Sequence, residues 1–274
     1  MALLRIASYN TADFLGDRQA AVRVVRAIAP DILCLQEVPR RLFAARRVAT
    51  FAAECALVWP ARHRGSGGTT ILLAPGLPLA AASHHRLATP LFDRTRGYGL
   101  VRLGSGPAAL TVVSIHLSLE AGERLEHTRT VLARLPELTG EVVIAGDLNE
   151  TSSGAAHRLV ASALRMVSPT LPTYPSHRPQ YVLDVIFATS GVSVRPHTEV
   201  LLQEADLYAA SDHLPIWIDV DAALSEEEGA LWGQGSTRLD PARPGLRRRR
   251  RLGRGGPAYA EREAGSRRRP GVGH

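Results

Sequence analysis

Polar residues that can do acid–base or ligand chemistry lie at the ends of apolar segments along residues 1–222. The set comprises Asn10, Glu37, His116, Asp147, Asn149, Asp184, Asp212 and His213. Taken singly, an acid at a strand end is more often a turn former or a helix cap. Asp184 is an exception because the sequence YVLDVIF places it inside an apparently buried strand. A buried charge is costly unless it is paired, so we expect a histidine or an arginine beside Asp184.

The residue types in this set favour one kind of metal chemistry. The set contains carboxylates and amides together with two histidines, but no thiolate and no histidine pair with zinc spacing. Hard oxygen ligands in small number favour Mg²⁺ or Mn²⁺, which keep part of their water shell and bind a substrate phosphate. Imidazole and amide groups can donate hydrogen bonds to the oxygens of that phosphate. The pattern therefore predicts metal-assisted hydrolysis of a phosphate ester.

The basic charge of the chain is concentrated near its C-terminus. The 274 residues contain 33 arginines, no lysine and 26 acidic residues, for a formal net charge of +7. Residues 1–222 hold 21 of the arginines against 20 acids, whereas residues 223–274 hold 12 against 6. We therefore predict a nearly neutral folded domain over residues 1–222 and a disordered tail rich in Arg, Gly and Pro over residues 223–274.

The composition excludes several classes of protein. The two cysteines, Cys34 and Cys55, are too few for a disulfide scaffold and lack metal-site spacing. The longest uncharged stretch, residues 65–85, is interrupted by Pro and Gly, which predicts no transmembrane segment. The first ten residues, MALLRIASYN, turn polar too early for a signal peptide, and we expect a cytoplasmic protein.

Hydrophobic patterns predict the elements that must position the polar set. Apolar residues at helical spacing predict a helix over residues 17–29 between strands at 3–8 and 31–36. Further helices are expected at 39–54, 124–135 and 155–164, and further strands at 69–74, 98–103, 110–117, 142–145, 182–188 and 214–220. Because many strands follow one another directly, we predict an α/β fold built on a two-sheet β-sandwich flanked by helices.

Six short motifs carry a resemblance to a known family. They are SYN at 8–10, QE at 36–37, SIHLS at 114–118, GDLN at 146–149, LDVIF at 183–187 and SDH at 211–213. In this order the chain resembles the endonuclease/exonuclease/phosphatase superfamily, which includes DNase I, abasic endonucleases of the exonuclease III type, inositol polyphosphate 5-phosphatases and neutral sphingomyelinases. The motifs span almost all of residues 1–222, and the tail has no counterpart. The resemblance implies a DNase I-like four-layer sandwich with the site at one edge.

The resemblance also implies a role for each residue of the polar set. Glu37 would be the principal Mg²⁺ or Mn²⁺ ligand, with Asn10 and Asp212 nearby. Asp147 would orient and deprotonate the attacking water. The remaining roles concern the phosphate: Asn149 and His116 would bind its oxygens, and His213 would contact it while Asp184 orients the imidazole.

Some positions depart from the family pattern or fall outside it. Many relatives carry an acid or an amide two residues after the first Asn, where this sequence has Ala12. This argues against a second metal ligand at that position. Arg96, just before the strand at 98–103, is interpreted either as a phosphate-binding residue or as a surface arginine. Four further arginines fall on the predicted helix at 39–54, and we interpret them as its solvated face: Arg40, Arg41, Arg46 and Arg47.

We therefore expect a Mg²⁺-dependent hydrolase of phosphate esters, of the phosphodiesterase or nuclease type, with nucleic acid among its candidate substrates. One alternative is a phosphomonoesterase or a lipid phosphodiesterase of the same superfamily, acting on inositol phosphates or resembling a sphingomyelinase. Another is a nucleic-acid-binding protein that acts mainly through its basic tail. The arginine runs of the tail predict contact with nucleic acid or with an anionic membrane surface.

Overall fold

The computed structural model describes residues 2–62, 65–89 and 95–224. Among these residues, no helix is long and apolar enough to cross a membrane. The tail predicted at 223–274 lies outside the described residues except for Ala223 and Leu224.

Eleven strands and five α-helices make up the described part of the chain. The strands are β1 (Ala2–Asn10), β2 (Ile32–Gln36), β3 (Thr70–Leu73), β4 (Leu79–Leu87), β5 (Arg96–Leu103), β6 (Leu110–His116), β7 (Glu141–Asp147), β8 (Arg165–Met166), β9 (Asp184–Ala188), β10 (Ser193–Val194) and β11 (Ile216–Ala222). The α-helices are α1 (Arg18–Ile28), α2 (Ala44–Glu54), α3 (Ala121–Leu132), α4 (Ala155–Ala163) and α5 (Glu204–Ala210). Short 3₁₀ helices lie at Ala12–Phe14, Gly106–Ala108 and Leu135–Glu137.

The strands form two mixed sheets. The five-stranded sheet has the order β10-β11-β1-β2-β3, and the six-stranded sheet has the order β4-β5-β6-β7-β9-β8. In each sheet one neighbouring pair is parallel, β1 with β2 and β6 with β7, while the other pairs are antiparallel. Antiparallel neighbours need only short connections, whereas each parallel pair is joined by a chain that includes a helix. The predicted two-sheet α/β fold is confirmed.

The sheets pack face to face, and helices cover their outer faces. Between the sheets lie apolar residues from both, such as Ile6 and Ile218 from one and Val112 and Val143 from the other. Helices α1 and α2 bury their apolar faces on the outside of the five-stranded sheet. Helices α3 and α4 do the same on the six-stranded sheet. The result is a four-layer order of helix, sheet, sheet and helix.

Capping explains where α1 begins and ends. The backbone N–H of Gln19 donates to the Asp17 side chain at 2.8 Å, which satisfies one of the free donors of the first turn. At the other end Ala29 adopts a left-handed conformation with φ of 50° and directly precedes Pro30. The helix predicted at 17–29 therefore forms with nearly the expected ends.

The helix predicted at 39–54 begins later, at Ala44. Phe43 has φ of 60°, which interrupts a right-handed helix. Upstream, the N–H of Val38 donates to the carbonyl of Gly68 at 2.9 Å and holds the segment after β2 against a glycine-rich loop. Consequently Arg40 and Arg41 lie in a loop, and interpreting them as part of a helix face was wrong.

Four elements had no signal in the sequence: β4, β8, β10 and α5. Strand β4 reads LAAASHHRL, a run of alanines and histidines with few of the β-branched residues that mark strands. It forms the edge of the six-stranded sheet, and most of its residues are partly or fully exposed. Strands β8 and β10 are only two residues long, and α5 has seven.

Candidate active site

The ends of five strands bring the polar set to one edge of the sandwich. In the parallel pair β1–β2, Asn10 is opposite Gln36, and in the parallel pair β6–β7, His116 is opposite Asp147. Strand β9 runs antiparallel to β7 and begins at Asp184, opposite Asp147. Parallel strands end on the same side, so the side chains that follow them gather there.

Asp147 is the centre of the cluster. Its side chain is 1% exposed, and its Oδ1 accepts the backbone N–H of Asn149 at 2.7 Å. Its Oδ2 accepts Nδ2–H of Asn10 at 3.0 Å, so one carboxylate joins the two sheets. The Nε2 atoms of His116 and His213 each lie 3.7 Å from the same Oδ2, one imidazole from each side of the sandwich.

Asp184 and His213 form a buried pair. His213 Nδ1 lies 2.8 Å from Asp184 Oδ2, and the two side chains are 7% and 0% exposed. This is the partner that a carboxylate inside an apolar strand requires. Within the described part of the chain, the second oxygen of Asp184, Oδ1, is buried and accepts no hydrogen bond.

Burial and neighbouring charges set the protonation of these groups. Burial, and then the nearby Asp184 carboxylate, raise the pKa of Asp147 to about 7, against the opposing charge of His213. Burial lowers the pKa of His213, but Asp184, helped by Asp147 and Asp212, outweighs it and raises that pKa to about 9. At neutral pH His213 is therefore a cation, and Asp147 can gain or lose a proton.

His116 is held from the side opposite His213. Nη1 of the buried Arg96 lies 2.9 Å from Nδ1 and 3.0 Å from Nε2 of His116. The nearest Glu37 oxygen, Oε1, lies 3.7 Å from His116 Nε2. Of the two interpretations of Arg96, the surface arginine is wrong, because this residue is 8% exposed and contacts the cluster.

Two residues that follow strand ends adopt left-handed backbone conformations. Glu37 has φ of 50° and Asn149 has φ of 52°. Asn tolerates this region, whereas Glu seldom adopts it, so the strain marks a position that the surroundings fix. The Asn149 side chain donates Nδ2–H to the carbonyl of Leu117 at 2.9 Å, which aligns its amide beside Asp147.

The oxygen donors most open to a cation are the carboxylates of Glu37 and Asp212. The Glu37 carboxylate is 35% exposed and makes no hydrogen bond within residues 2–62, 65–89 and 95–224. Asp212 is exposed, with Oδ1 3.5 Å from the Ser211 hydroxyl. Asn10 Oδ1 accepts the N–H of Ala12 at 3.1 Å, which fixes the orientation of its amide.

Asp147, Asp184 and His213 also offer ligand atoms within 4.8 Å of one another. In this cluster, however, Asp184 Oδ2 and His213 Nδ1 already bond to each other, and both oxygens of Asp147 accept hydrogen bonds. The free, oxygen-rich donors around Glu37 therefore fit a divalent cation such as Mg²⁺ or Mn²⁺ better.

Sequence analysis missed two residues that support the cluster. Ser211, although part of the SDH motif, was not singled out; its hydroxyl donates to the Asn10 carbonyl at 2.7 Å and accepts the N–H of His213 at 3.2 Å. Tyr174 packs on the His213 ring with centroids 4.8 Å apart. The serine inside a motif could have been noticed, whereas nothing in the local sequence pointed to Tyr174.

Comparison with known proteins is consistent with this geometry. Residues 7–213 match the model of the Endonuclease/Exonuclease/phosphatase family. No curated protein matches the chain.

Among solved structures, a functionally unknown conserved protein from Enterococcus faecalis has a TM-score of 0.65 at 20% identity, covering 80% of this chain and 100% of that one. An endonuclease/exonuclease/phosphatase from Beutenbergia cavernae has a TM-score of 0.62 at 21% identity, and the match covers 81% of this chain and 72% of that one. ANGEL2, a 2′,3′-cyclic phosphatase, has a TM-score of 0.64 at 14% identity, and the match covers 80% of this chain and 95% of that one.

These likenesses share the two-sheet fold, and the family model spans the cluster from β1 to His213. The chain therefore belongs to the endonuclease/exonuclease/phosphatase family of enzymes that hydrolyse phosphate esters.

Proposed function

We propose that the chain hydrolyses phosphodiesters, as nucleases do, with the help of Mg²⁺ or Mn²⁺. The observation that carries this proposal is the position of Asp147 Oδ2, 3.7 Å from Nε2 of both His116 and His213. A carboxylate flanked by two imidazoles combines a proton acceptor for water with two hydrogen-bonding groups for phosphate oxygens. The 3.7 Å between His213 Nε2 and Asp147 Oδ2 exceeds hydrogen-bond length, so this nitrogen can donate to a substrate phosphate, whereas His116 is held by Arg96.

Asp147 acts on the attacking water. Its carboxylate accepts a proton from the water as the oxygen forms a bond to phosphorus and the bond to the leaving oxygen breaks. A pKa near 7 suits this role because the carboxylate is both partly ionised and basic at neutral pH. The bonds from Asn10 and Asn149 hold the carboxylate in one orientation.

His213 acts on the phosphate. As a cation it donates Nε2–H to a phosphate oxygen and offsets the negative charge that grows on pentacovalent phosphorus. Asp184 accepts Nδ1–H, which fixes the ring orientation and keeps the proton on the imidazole. Asn149 and His116 bind the remaining oxygens, and Arg96 adds positive charge behind His116.

Glu37 is the proposed principal ligand of the divalent cation, with Asn10 and Asp212 nearby. When bound, the cation supplies positive charge that stabilises the phosphate oxygens during the reaction. Two points support this assignment: the family generally depends on divalent metals, and the carboxylates of Glu37 and Asp212 are open to solvent.

The named relatives widen the range of esters to be tested. One is described as a 2′,3′-cyclic phosphatase, and another is the human Nocturnin catalytic domain with a bound sulfate anion. Hydrolysis of phosphomonoesters, hydrolysis of lipid phosphodiesters and nucleic-acid binding through the basic tail are the alternatives.

A substrate panel tests the proposal. The full chain is assayed with Mg²⁺, Mn²⁺ or EDTA on duplex DNA, abasic DNA, RNA, a 2′,3′-cyclic nucleotide, bis-p-nitrophenyl phosphate, inositol phosphates and sphingomyelin, with Asp147→Asn as the blank. We expect diester cleavage that EDTA abolishes and either metal restores. Turnover that persists in EDTA, or equally in the blank, contradicts the proposal. Cleavage of monoesters alone, or of sphingomyelin alone, favours the corresponding alternative.

A further inference from the structure

A basic cavity of about 750 Å³ adjoins the catalytic cluster. Of the described residues, four arginines line it, Arg40, Arg41, Arg47 and Arg86, together with one acid, Asp13. The arginines come from the loop after β2, from α2 and from β4, so folding alone brings them together. We call this space the arginine cavity.

The arginine cavity begins where the catalytic cluster ends. Pro39 lines the cavity and lies two residues after Glu37, and Thr95 lines it and directly precedes Arg96. Consecutive Cα atoms are about 3.8 Å apart, so the two sites share their boundary. Asp13, on the cavity wall, donates its backbone N–H to the Glu37 carbonyl at 2.6 Å. The backbone of Glu37 is therefore in direct contact with the wall of the arginine cavity.

The arginines of the arginine cavity have no carboxylate partner among the described residues. Within the described ranges, none of its four guanidinium groups forms a salt bridge with a carboxylate. The guanidinium groups of Arg40 and Arg47 donate to backbone carbonyls at 3.2–3.4 Å, and Arg47 also lies over the Phe14 ring. By contrast, seven arginines elsewhere pair with acids: Arg5, Arg18, Arg23, Arg124, Arg129, Arg134 and Arg195. Four unpaired cations in one concave space repel one another unless an anion joins them.

Close backbone packing builds one wall of the arginine cavity. Gly67 has φ of 69°, and a Cβ there would lie 2.1 Å from the Thr95 carbonyl oxygen, so only glycine fits. Gly68, with φ of 88°, packs against the stem of Arg40, where a Cβ would lie 3.1 Å from Cδ. These contacts fix the loop beside the start of β5, so this wall is formed before any ligand arrives.

We propose that the arginine cavity binds a second phosphate group of the same substrate molecule. The proposal rests on the proposed function, because it assigns the first phosphate to the catalytic cluster. Guanidinium groups bind phosphate through paired hydrogen bonds, and several of them define a phosphate site. A volume of 750 Å³ lies within the range of about 300–1,000 Å³ for small-molecule sites. The preferred substrates therefore carry at least two phosphates.

The test compares matched substrates that differ by one phosphate. One arm uses the thymidine dinucleotide TpT with and without a 5′-phosphate, and the other uses inositol monophosphate and inositol bisphosphate. The measured quantity is the ratio of kcat/KM for the two-phosphate substrate to kcat/KM for its one-phosphate partner. The variant is Arg41→Gln with Arg86→Gln in the full chain. The control removes two charges from exposed surface ion pairs, with Arg129→Gln and Arg134→Gln.

We expect the ratio to fall at least tenfold in the cavity variant and to stay within twofold of wild type in the control. The arm with the larger wild-type ratio identifies the source of the second phosphate as a nucleotide chain or a phosphorylated ring. An unchanged ratio in the cavity variant overturns the proposal, and so does an equal fall in the control.

A binding measurement separates this proposal from the proposed function. If wild-type protein hydrolyses neither substrate pair, the substrate panel still decides the proposed function, and calorimetric titration with inorganic pyrophosphate tests the arginine cavity. Affinity at least tenfold weaker in the cavity variant than in the control supports the cavity. Equal affinity in the two proteins overturns it.

Discussion

Two carboxylate–cation pairs in this fold have similar lengths and different environments. Arg5 and Asp219 are directly opposed on β1 and β11 and form two hydrogen bonds, Nε to Oδ1 at 2.7 Å and Nη2 to Oδ2 at 2.9 Å. Asp184 and His213 form one bond at 2.8 Å and leave Asp184 Oδ1 buried without a hydrogen bond among the described residues. Both carboxylate oxygens of Asp219 therefore accept a hydrogen bond from their partner, whereas only one oxygen of Asp184 does.

The difference separates a pair that stabilises the fold from a pair that we propose serves the chemistry. A bidentate bond satisfies both carboxylate oxygens. It joins β1 and β11, which are neighbours in the sheet although they are the first and last of the described strands along the chain. A fully buried pair with an unsatisfied oxygen contributes little to folding, because desolvation offsets the attraction between its charges. In the proposed mechanism, the pair fixes one ring nitrogen so that the other faces the substrate.

The largest effect is expected from the groups that touch the reacting atoms. Asp147→Asn removes the proposed proton acceptor, and His213→Ala removes the proposed donor to phosphate. Each lowers kcat at least ~100-fold, the usual contribution of one acid–base or charge-stabilising group. Steady-state kinetics on the best substrate of the panel, with circular dichroism to verify folding, is the measurement. Near-normal turnover in either folded variant would remove that residue from the mechanism.

An intermediate effect is expected from Asp184→Asn. The imidazole loses the carboxylate that raises its pKa, so kcat falls about 10- to 100-fold. NMR titration of His213 provides a separate readout, since its pKa should drop well below the value of about 9 in the intact pair. A large loss of stability with an unmoved His213 pKa would make this pair structural.

The smallest effect on activity is expected from Asp219→Asn, which should instead lower the stability of the fold. Removing one partner of the Arg5 pair lowers the free energy of unfolding by about 1–2 kcal/mol at pH 7 and leaves kcat unchanged. Denaturant unfolding and steady-state kinetics on the same preparation measure both. A fall in kcat with unchanged stability would reverse the comparison between the two pairs.

The pH dependence of that stability loss has a definite sign. The hydrogen bond from Arg5, opposed by burial, lowers the pKa of Asp219 in the folded chain. The pair therefore stabilises the fold above about pH 3.9, the ordinary pKa of an unfolded Asp, and its contribution disappears as pH falls through the lower folded value. Wild type and Asp219→Asn should differ at pH 7 and converge in strong acid.

The fold was largely predictable because its central strands carry their own signal. Strands β1, β2, β6 and β7 are apolar runs that end in polar residues, and β9 is an apolar run that begins with one. The edge strand β4 was not predictable, since an alanine- and histidine-rich run exposed to solvent has no period to detect. The late start of α2 depends on Val38 contacting Gly68, a contact between distant segments that no local pattern encodes.

The candidate site also contains residues that could be predicted from the sequence and residues that could not. Residues that follow strand ends, such as Asp147 and His116, could be singled out from position and type. The requirement for a partner at Asp184 could be inferred from the cost of burying a charge, although the identity of that partner came from the family resemblance. The arginine cavity could not be predicted, because Arg86 lies far along the chain from Arg40 and Arg41 and only the packing of β4 and the glycine loop unites them.

The pairing of β1 with β11 has a consequence for how the protein is made. Residues 2–8 are hydrogen-bonded to residues 216–222, so the five-stranded sheet closes only after more than two hundred residues have left the ribosome. Contacts of such sequence separation slow folding, because a long loop must be ordered first. Until then Asn10 has no Ser211 beside its carbonyl, and Asp147 has no His213. A nascent chain therefore carries no assembled hydrolytic centre while it is still being synthesised.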